Sequence, residues 1–181
     1  QHTDPVAGGE PFESDVGREH APSLVLPFRA RITSGRPARV KAVIIGAGRG
    51  SRLRHLTNEI PKTLVPVLGR PMLDGILEAL EFGGFSRKDV VFICGYKKEV
   101  IQERYPDLTY VENKDWENNN ILLSLLCARE HLTGGFVSTY ADIVYRKEIV
   151  RDLVASPHSI AIGCDTDWRR RYTGRSQHPE T

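Results

Sequence analysis

Val40 to Pro66 reads VKAVIIGAGRGSRLRHLTNEIPKTLVP, and this stretch restricts the fold more than any other part of the chain. It opens on an apolar, β-branched run, Val40 to Ile45, and empties into Gly46-Ala47-Gly48-Arg49-Gly50-Ser51-Arg52. A buried strand that ends in a glycine loop can build a phosphate site. Glycines let backbone N–H groups turn toward an anion with no Cβ in the way. Arg49, Arg52 and, behind Pro61, Lys62 add positive charge where a triphosphate would lie. Two other loop types fit less well. A dinucleotide fingerprint wants G-x-G-x-x-G and an acidic residue about 20 positions on. Here Ser51 stands in the third glycine's place, and the chain continues with Pro61-Lys62, Pro66 and Gly69. An ATPase P-loop needs Gly-Lys-Ser/Thr, which Gly50-Ser51-Arg52 does not supply. A plain strand-to-helix turn with solvated arginines stays open as an alternative.

From Val40 onward, strands and helices alternate. Met72, Leu73, Ile76, Leu77 and Leu80 recur at helical spacing behind Pro71, and Gly83-Gly84 stops that helix. Val90 to Cys94 reads as a buried strand, Lys97 to Arg104 as a short helix and Leu108 to Val111 as the next strand. Ile121 to Leu132 reads as a strongly apolar helix, Phe136 to Tyr140 as a strand, and Lys147 to Ala155 as a helix. Ser159 to Cys164 reads as a last strand. This order predicts an α/β domain over residues 40–181, a Rossmann-like, mostly parallel sheet with helices on both faces. Residues 1–39 show no sustained period and read as a disordered or loosely attached leader. Ligands in such sheets bind at the carboxyl ends of the strands. That edge would carry the glycine loop, Gly95-Tyr96, Asn113, Asp142 and Asp165.

The spaced elements GAGRGSRL, PKTLVPV and GRPML follow one another in the chain. In that order they resemble the signature of the nucleotidyltransferase superfamily that activates sugar phosphates and related small phosphorylated compounds. The resemblance covers about residues 40 to 165, and its nearest branch is the cytidylyltransferases acting on phosphocholine or phosphonates. It implies transfer of a nucleoside monophosphate, CMP from CTP, to a small phosphorylated or phosphonate acceptor with release of pyrophosphate. It implies Mg²⁺ as cofactor, with Asp142 as the metal ligand. It places Arg52 and Lys62 in catalysis, Lys62 on the α-phosphate. Gly46, Ala47, Gly48, Arg49, Gly50, Ser51, Gly95 and Asn120 would bind the nucleotide. A sugar-1-phosphate nucleotidyltransferase using UTP or dTTP is the same-fold rival. A non-catalytic nucleotide-binding module is the rival of a different class.

The chemistry is compatible with these residues. An ionised phosphate or phosphonate oxygen can attack the α-phosphorus directly, so the protein has to bind, align and neutralise charge. Asp142 ends an apolar strand, where a carboxylate can hold Mg²⁺; a helix cap or turn aspartate is the alternative. Trp116-Glu117-Asn118-Asn119-Asn120, then Ser124, look like the asparagine segment of the choline and phosphonate branch, or else a polar loop capping the next helix. Trp116, Asp165, Trp168 and Tyr172 are candidate acceptor contacts. Trp168 and Tyr172 with Asp165 and Asp167 could cage a quaternary ammonium, whereas Arg169, Arg170 and Arg171 would suit a dianion. A solvated basic loop is the plain reading of the same stretch.

Composition narrows the rest. The net charge of +2 argues against bulk nucleic-acid binding. No run approaches the roughly 18 apolar residues of a membrane span. Cys94, Cys127 and Cys164 form no C-x-x-C pair and lie in apolar runs, which reads as buried thiols in a reducing, cytoplasmic setting. Family enzymes continue with further strands and a second metal carboxylate, whereas this chain ends at Thr181. The expectation is therefore a carboxyl-terminally incomplete copy that lacks the second metal carboxylate, binds nucleotide better than it turns it over, leaves apolar surface open near Asp142 and Trp168, and self-associates; Asp165 or Asp167 taking over the metal role is the alternative.

Overall fold

The computed structural model describes residues 40–167. The leader over 1–39 and the candidates Trp168, Arg169, Arg170, Arg171 and Tyr172 lie outside the described residues. Four strands form one parallel sheet: β1 (Lys41–Ile45), β4 (Val90–Cys94), β5 (Thr109–Glu112) and β6 (Phe136–Tyr140), in the order β5-β4-β1-β6. β2 (Pro66–Val67) and β3 (Arg70–Pro71) form a small antiparallel hairpin. Its turn, Leu68-Gly69, has φ of 52° and 80°. Such a turn matches the twist of two paired strands, and sequence reading alone did not reveal this hairpin.

The helices are α1 (Met72–Phe82), α2 (Lys98–Arg104), α3 (Ile121–Cys127) and α4 (Glu148–Ala155). Ala42, Ile44 and Phe92 pack on one side with Leu73, Ile76, Leu77 and Leu80 of α1, Ile101 of α2 and Val150 of α4. Val43, Val91 and Ile93 pack on the other with Ala128 and Leu125. Covering both faces is why the central strands read as continuous apolar runs rather than alternating ones. Pro71 immediately precedes α1, and the Gly83 N–H closes its end on the Ala79 carbonyl at 3.0 Å. The α/β architecture with helices on both faces is thus as expected.

Three local expectations differ from the structure. Ser159 to Cys164 is not a strand; Ile160 and Ile162 are 81% and 79% exposed. Its alternating pattern suits a strand, but β6 pairs only with β1 among the described residues. Among the described residues β6 thus keeps one edge open, and Ser159 to Cys164 does not take it. The apolar helix expected from Ile121 to Leu132 ends at Cys127, and a 3₁₀ turn, Arg129–His131, follows. Ser124 and Ala128, four apart, face inward, while Ile121, Leu122, Leu123 and Leu126 are exposed. Of the three thiols, only Cys94 is buried; Cys127 and Cys164 are exposed.

Phe92 is fully buried in β4, and its ring lies under Gly46, where an added Cβ would come within 2.5 Å of Cζ. Phe92→Ala should therefore lower the free energy of unfolding by about 3–5 kcal/mol in urea titrations. A loss under about 1 kcal/mol would show that the ring does not carry the core.

Candidate active site

Each strand delivers a different chemical group to the carboxyl edge of the sheet. β1 runs into the glycine loop, which is stitched to its neighbours by backbone hydrogen bonds. The Gly46 N–H donates to the Ile93 carbonyl at 3.0 Å, and the Ala141 N–H donates to the Ile45 carbonyl at 2.9 Å. The Tyr96 N–H donates to the Ala47 carbonyl at 2.8 Å. The ends of β4 and β6 thereby hold the loop from both sides.

Gly50 has a φ of 72°, and an added Cβ there would lie 2.6 Å from Lys62 Cδ. The left-handed turn and the missing side chain both serve to let the Lys62 chain lie across the loop. Lys62 Nζ then reaches Asp142 Oδ2 at 2.5 Å, joining positions 80 residues apart. Both side chains are partly exposed, so the pair contributes little to stability and can be exchanged for ligand contacts. Asp142 lies in the turn after β6, and Lys147 occupies the N-cap position of α4. The helix-cap alternative for Asp142 is therefore ruled out.

A cavity of about 440 Å³ opens at this edge. Gly46, Ala47, Gly48, Gly50, Arg52 and Lys62 line one side, and Trp116, Asn119, Asn120 and Ser124 line another. Tyr140, Ala141 and Asp142 close it beside β6. Thr63 also lines it, with its buried hydroxyl unpartnered among the described residues.

Several expected residues sit apart from the cavity lining or make contacts of their own in this structure. Arg49 does not line the cavity; it donates to Asn58 Oδ1 at 3.1 Å and lies over the Tyr96 ring at 5.5 Å. Ser51 begins the 3₁₀ segment Ser51–Thr57 and is likewise outside the lining. Asn120 borders the cavity, yet its Oδ1 accepts the Leu123 N–H at 3.0 Å and caps α3. Gly95 works at second hand. An added Cβ would come within 2.7 Å of both the Ala47 carbonyl and Trp116 Cγ, so only glycine lets that indole close the wall. Asp165 and Asp167 are exposed, are not part of the lining, and are joined by an Asp167 N–H bond to Asp165 Oδ1 at 3.0 Å.

Tyr96 was read at the ligand edge but without a role. Its hydroxyl meets the carbonyls of Thr57 at 2.8 Å and Asn58 at 3.1 Å, tying the flap after the glycine loop to the end of β4. Trp116 packs edge-on against its ring. The signal was available, since Gly95-Tyr96 follows a strand end, but nothing local names its partners. Cys94 is no nucleophile here: burial pushes its thiol above the ordinary range, which keeps it neutral.

The donor set can be judged for Mg²⁺. No group of three or more His, Cys, Asp or Glu among the described residues could hold a metal alone. Mg²⁺ is commonly bound through one or two carboxylates together with substrate phosphates and waters. A single Asp142 carboxylate on the wall of the glycine-loop cavity fits that second pattern.

Residues 42–178 match the MobA-like NTP transferase domain. The chain is 27% identical to CTP:phosphoglutamine cytidylyltransferase of Campylobacter jejuni over 77% of this chain and 58% of that protein. It is 36% identical to 2-aminoethylphosphonate cytidylyltransferase of Lancefieldella rimae over 61% of this chain and 46% of that one. The solved structure of CTP:phosphocholine cytidylyltransferase from Streptococcus pneumoniae superposes with a TM-score of 0.51 at 33% identity, covering 61% of this chain and 50% of that one. The chain thus spans about half the length of these relatives. Because the match runs through the parallel sheet, the glycine loop, Lys62 and Asp142 alike, the chain belongs to the family of MobA-like NTP transferase domains.

Proposed function

We propose that this domain transfers cytidylate from CTP to a small phosphorylated or phosphonate compound and releases pyrophosphate. The observation that carries the reading is the Lys62–Asp142 pair on the wall of the glycine-loop cavity. It sets a cation and a carboxylate side by side where an α-phosphate and its metal would meet. The relatives named as cytidylyltransferases support the choice of base and acceptor class.

In this mechanism the glycine-loop amides and Arg52 bind the β- and γ-phosphates. Lys62 leaves Asp142 and binds an α-phosphate oxygen, where charge builds up in the transition state. An acceptor oxygen, already ionised, attacks the α-phosphorus; the bond to the bridging oxygen breaks, and that oxygen leaves with pyrophosphate. No proton has to move. Mg²⁺, when bound, would neutralise phosphate charge, and Asp142 is the residue that would hold it. Trp116 and the neighbouring cavity wall exclude water from the nucleotide.

The setting follows from the same features. No helix among the described residues is long and apolar enough to cross a membrane. We place the protein in a reducing, cytoplasmic compartment, on the strength of three unpaired thiols. Exposed Leu122, Leu123 and Leu126 of α3 and Val144 after β6 support self-association.

Pyrophosphate release should require a divalent cation and be fastest with CTP in a panel of triphosphates tested against phosphorylated and phosphonate acceptors. Faster turnover with UTP or dTTP and a sugar 1-phosphate would overturn the choice of base and acceptor. Retained triphosphate binding without any turnover would overturn the enzyme itself. Lys62→Ala should lower the transfer rate by about 10² or more with little change in melting temperature; an unchanged rate removes Lys62 from the chemistry. Asp142→Asn should abolish metal-dependent transfer in a folded protein, and near-normal activity would sink its metal role. In sedimentation velocity the chain should associate as its concentration rises, and the double variant Leu122→Lys/Val144→Lys should reverse that. Monomers at every concentration would contradict it.

A further inference from the structure

We propose that Asn113, buried behind the cavity wall, sets the polarity of the Asn119 amide, so that Asn119 offers the cavity a hydrogen-bond donor that reads an acceptor atom on the nucleotide base. This rests on the reading of the cavity as a nucleotide site and adds to it the residue pair that selects the base.

Asn113 follows β5 and is 1% exposed. Its backbone N–H donates to the Cys94 carbonyl at 2.8 Å, anchoring it to the end of β4. Its side chain uses all of its hydrogen-bonding capacity. Oδ1 accepts the Asp115 N–H at 3.1 Å and an Asn119 Nδ2 hydrogen at 2.9 Å. Nδ2 donates to Asn119 Oδ1 and to Ser124 Oγ, each at 2.9 Å.

Nitrogen and oxygen of an amide are told apart by their partners. Here the Asp115 partner is a backbone N–H, which can only donate, so the Asn113 atom facing it is oxygen. Its Nδ2 therefore faces Asn119 and Ser124. The Asn119 atom receiving that hydrogen must in turn be oxygen. Asn119 Oδ1 also meets the Ser124 hydroxyl at 3.4 Å, so its acceptor sites are occupied. One Nδ2 hydrogen of Asn119 returns to Asn113, and the other has no partner among the described residues. Asn119 and Ser124 line the cavity, whereas Asn113 does not. A backbone amide at Asp115 thus determines, through one buried side chain, that Asn119 presents N–H and not C=O.

The place on the sheet suits a base. The residues proposed to bind phosphates are gathered at β1 and β6, and Asn113 follows β5, two strands from β1. Two strand spacings are about 10 Å, the scale of a ribose and a base edge. Trp116, on the same wall, adds an aromatic surface. Cytosine carries acceptors at its O2 and ring N3, while uracil carries a hydrogen on that ring nitrogen. A fixed donor meeting the ring nitrogen favours cytosine over uracil.

Asn119→Asp replaces the donor by an acceptor at constant shape, and Asn113→Asp removes the hydrogen that fixes Asn119. Each variant is checked for folding by melting temperature. CTP and UTP affinities are measured by calorimetry, and KM is measured separately for nucleotide and acceptor. Asn119→Asp should weaken CTP binding by about tenfold or more and erase the preference over UTP, with the acceptor KM unchanged. Asn113→Asp should do the same in smaller degree, although it touches no ligand. If it fails to fold, Asn119→Asp carries the test alone. Unchanged CTP affinity and selectivity in folded variants would overturn the proposal, as would a shift in the acceptor KM alone. Equal binding of CTP and UTP by the wild type would also overturn it. Absence of turnover with every acceptor, alongside selective CTP binding that the variants lose, would defeat the transfer reading and leave the role of Asn113 standing.

Discussion

Ile45 lies opposite Tyr140 in the parallel pairing of β1 with β6, and one step beyond that register the chain leaves the sheet on both strands at once. On one side it enters the glycine loop; on the other it turns through Ala141 into Asp142. The Ala141 N–H bond to the Ile45 carbonyl holds the two exits together. Slipping the register would move Asp142 about 3.3 Å along the sheet for each residue. Lys62 would then lose the carboxylate it reaches across 80 residues of chain. The buried sheet is thus what makes two partly exposed side chains into one site.

The electrostatics of that site favour exchange. A buried ion pair resists opening, because a partner left alone is costly. The Lys62–Asp142 pair is open to water, so either member can turn to a phosphate or a metal with water covering the loss. The more rigid parts lie around it. Tyr96 clamps the flap, Gly50 carries the Lys62 chain, and Asn113 fixes the amide of Asn119. The site therefore combines movable charges with fixed shape, as charge neutralisation by positioned groups requires.

Much of this was legible in the sequence where one local rule decides the outcome. The apolar run before the glycine loop, Pro71 ahead of a helical period, and the Phe136–Tyr140 strand all form as read. Lys62 behind the glycine loop and Asp142 after an apolar strand were each read to the same edge of the sheet. What stayed hidden depends on which partner the folded chain brings to each side chain. Arg49 was read as a phosphate ligand because charge near glycines suits one; in this structure it meets Asn58 and Tyr96. Among three consecutive asparagines, composition gives no way to rank them. The fold assigns Asn120 to a helix cap and Asn119 to the buried amide pair. Ser159 to Cys164 has the pattern of a strand, but a pattern alone does not dock a segment on the open edge of β6.

The central claim is that the bond between the α-phosphorus and its bridging oxygen is the one that breaks. CTP labelled at the α-phosphorus and CTP labelled at the γ-phosphorus, each incubated with Mg²⁺ and a phosphonate or phosphorylated acceptor, test this directly. The account predicts α-label in a conjugate of the acceptor and γ-label in pyrophosphate. Release of the γ-label as inorganic phosphate, or its transfer to the acceptor, would mean cleavage at the other end of the triphosphate and would contradict it.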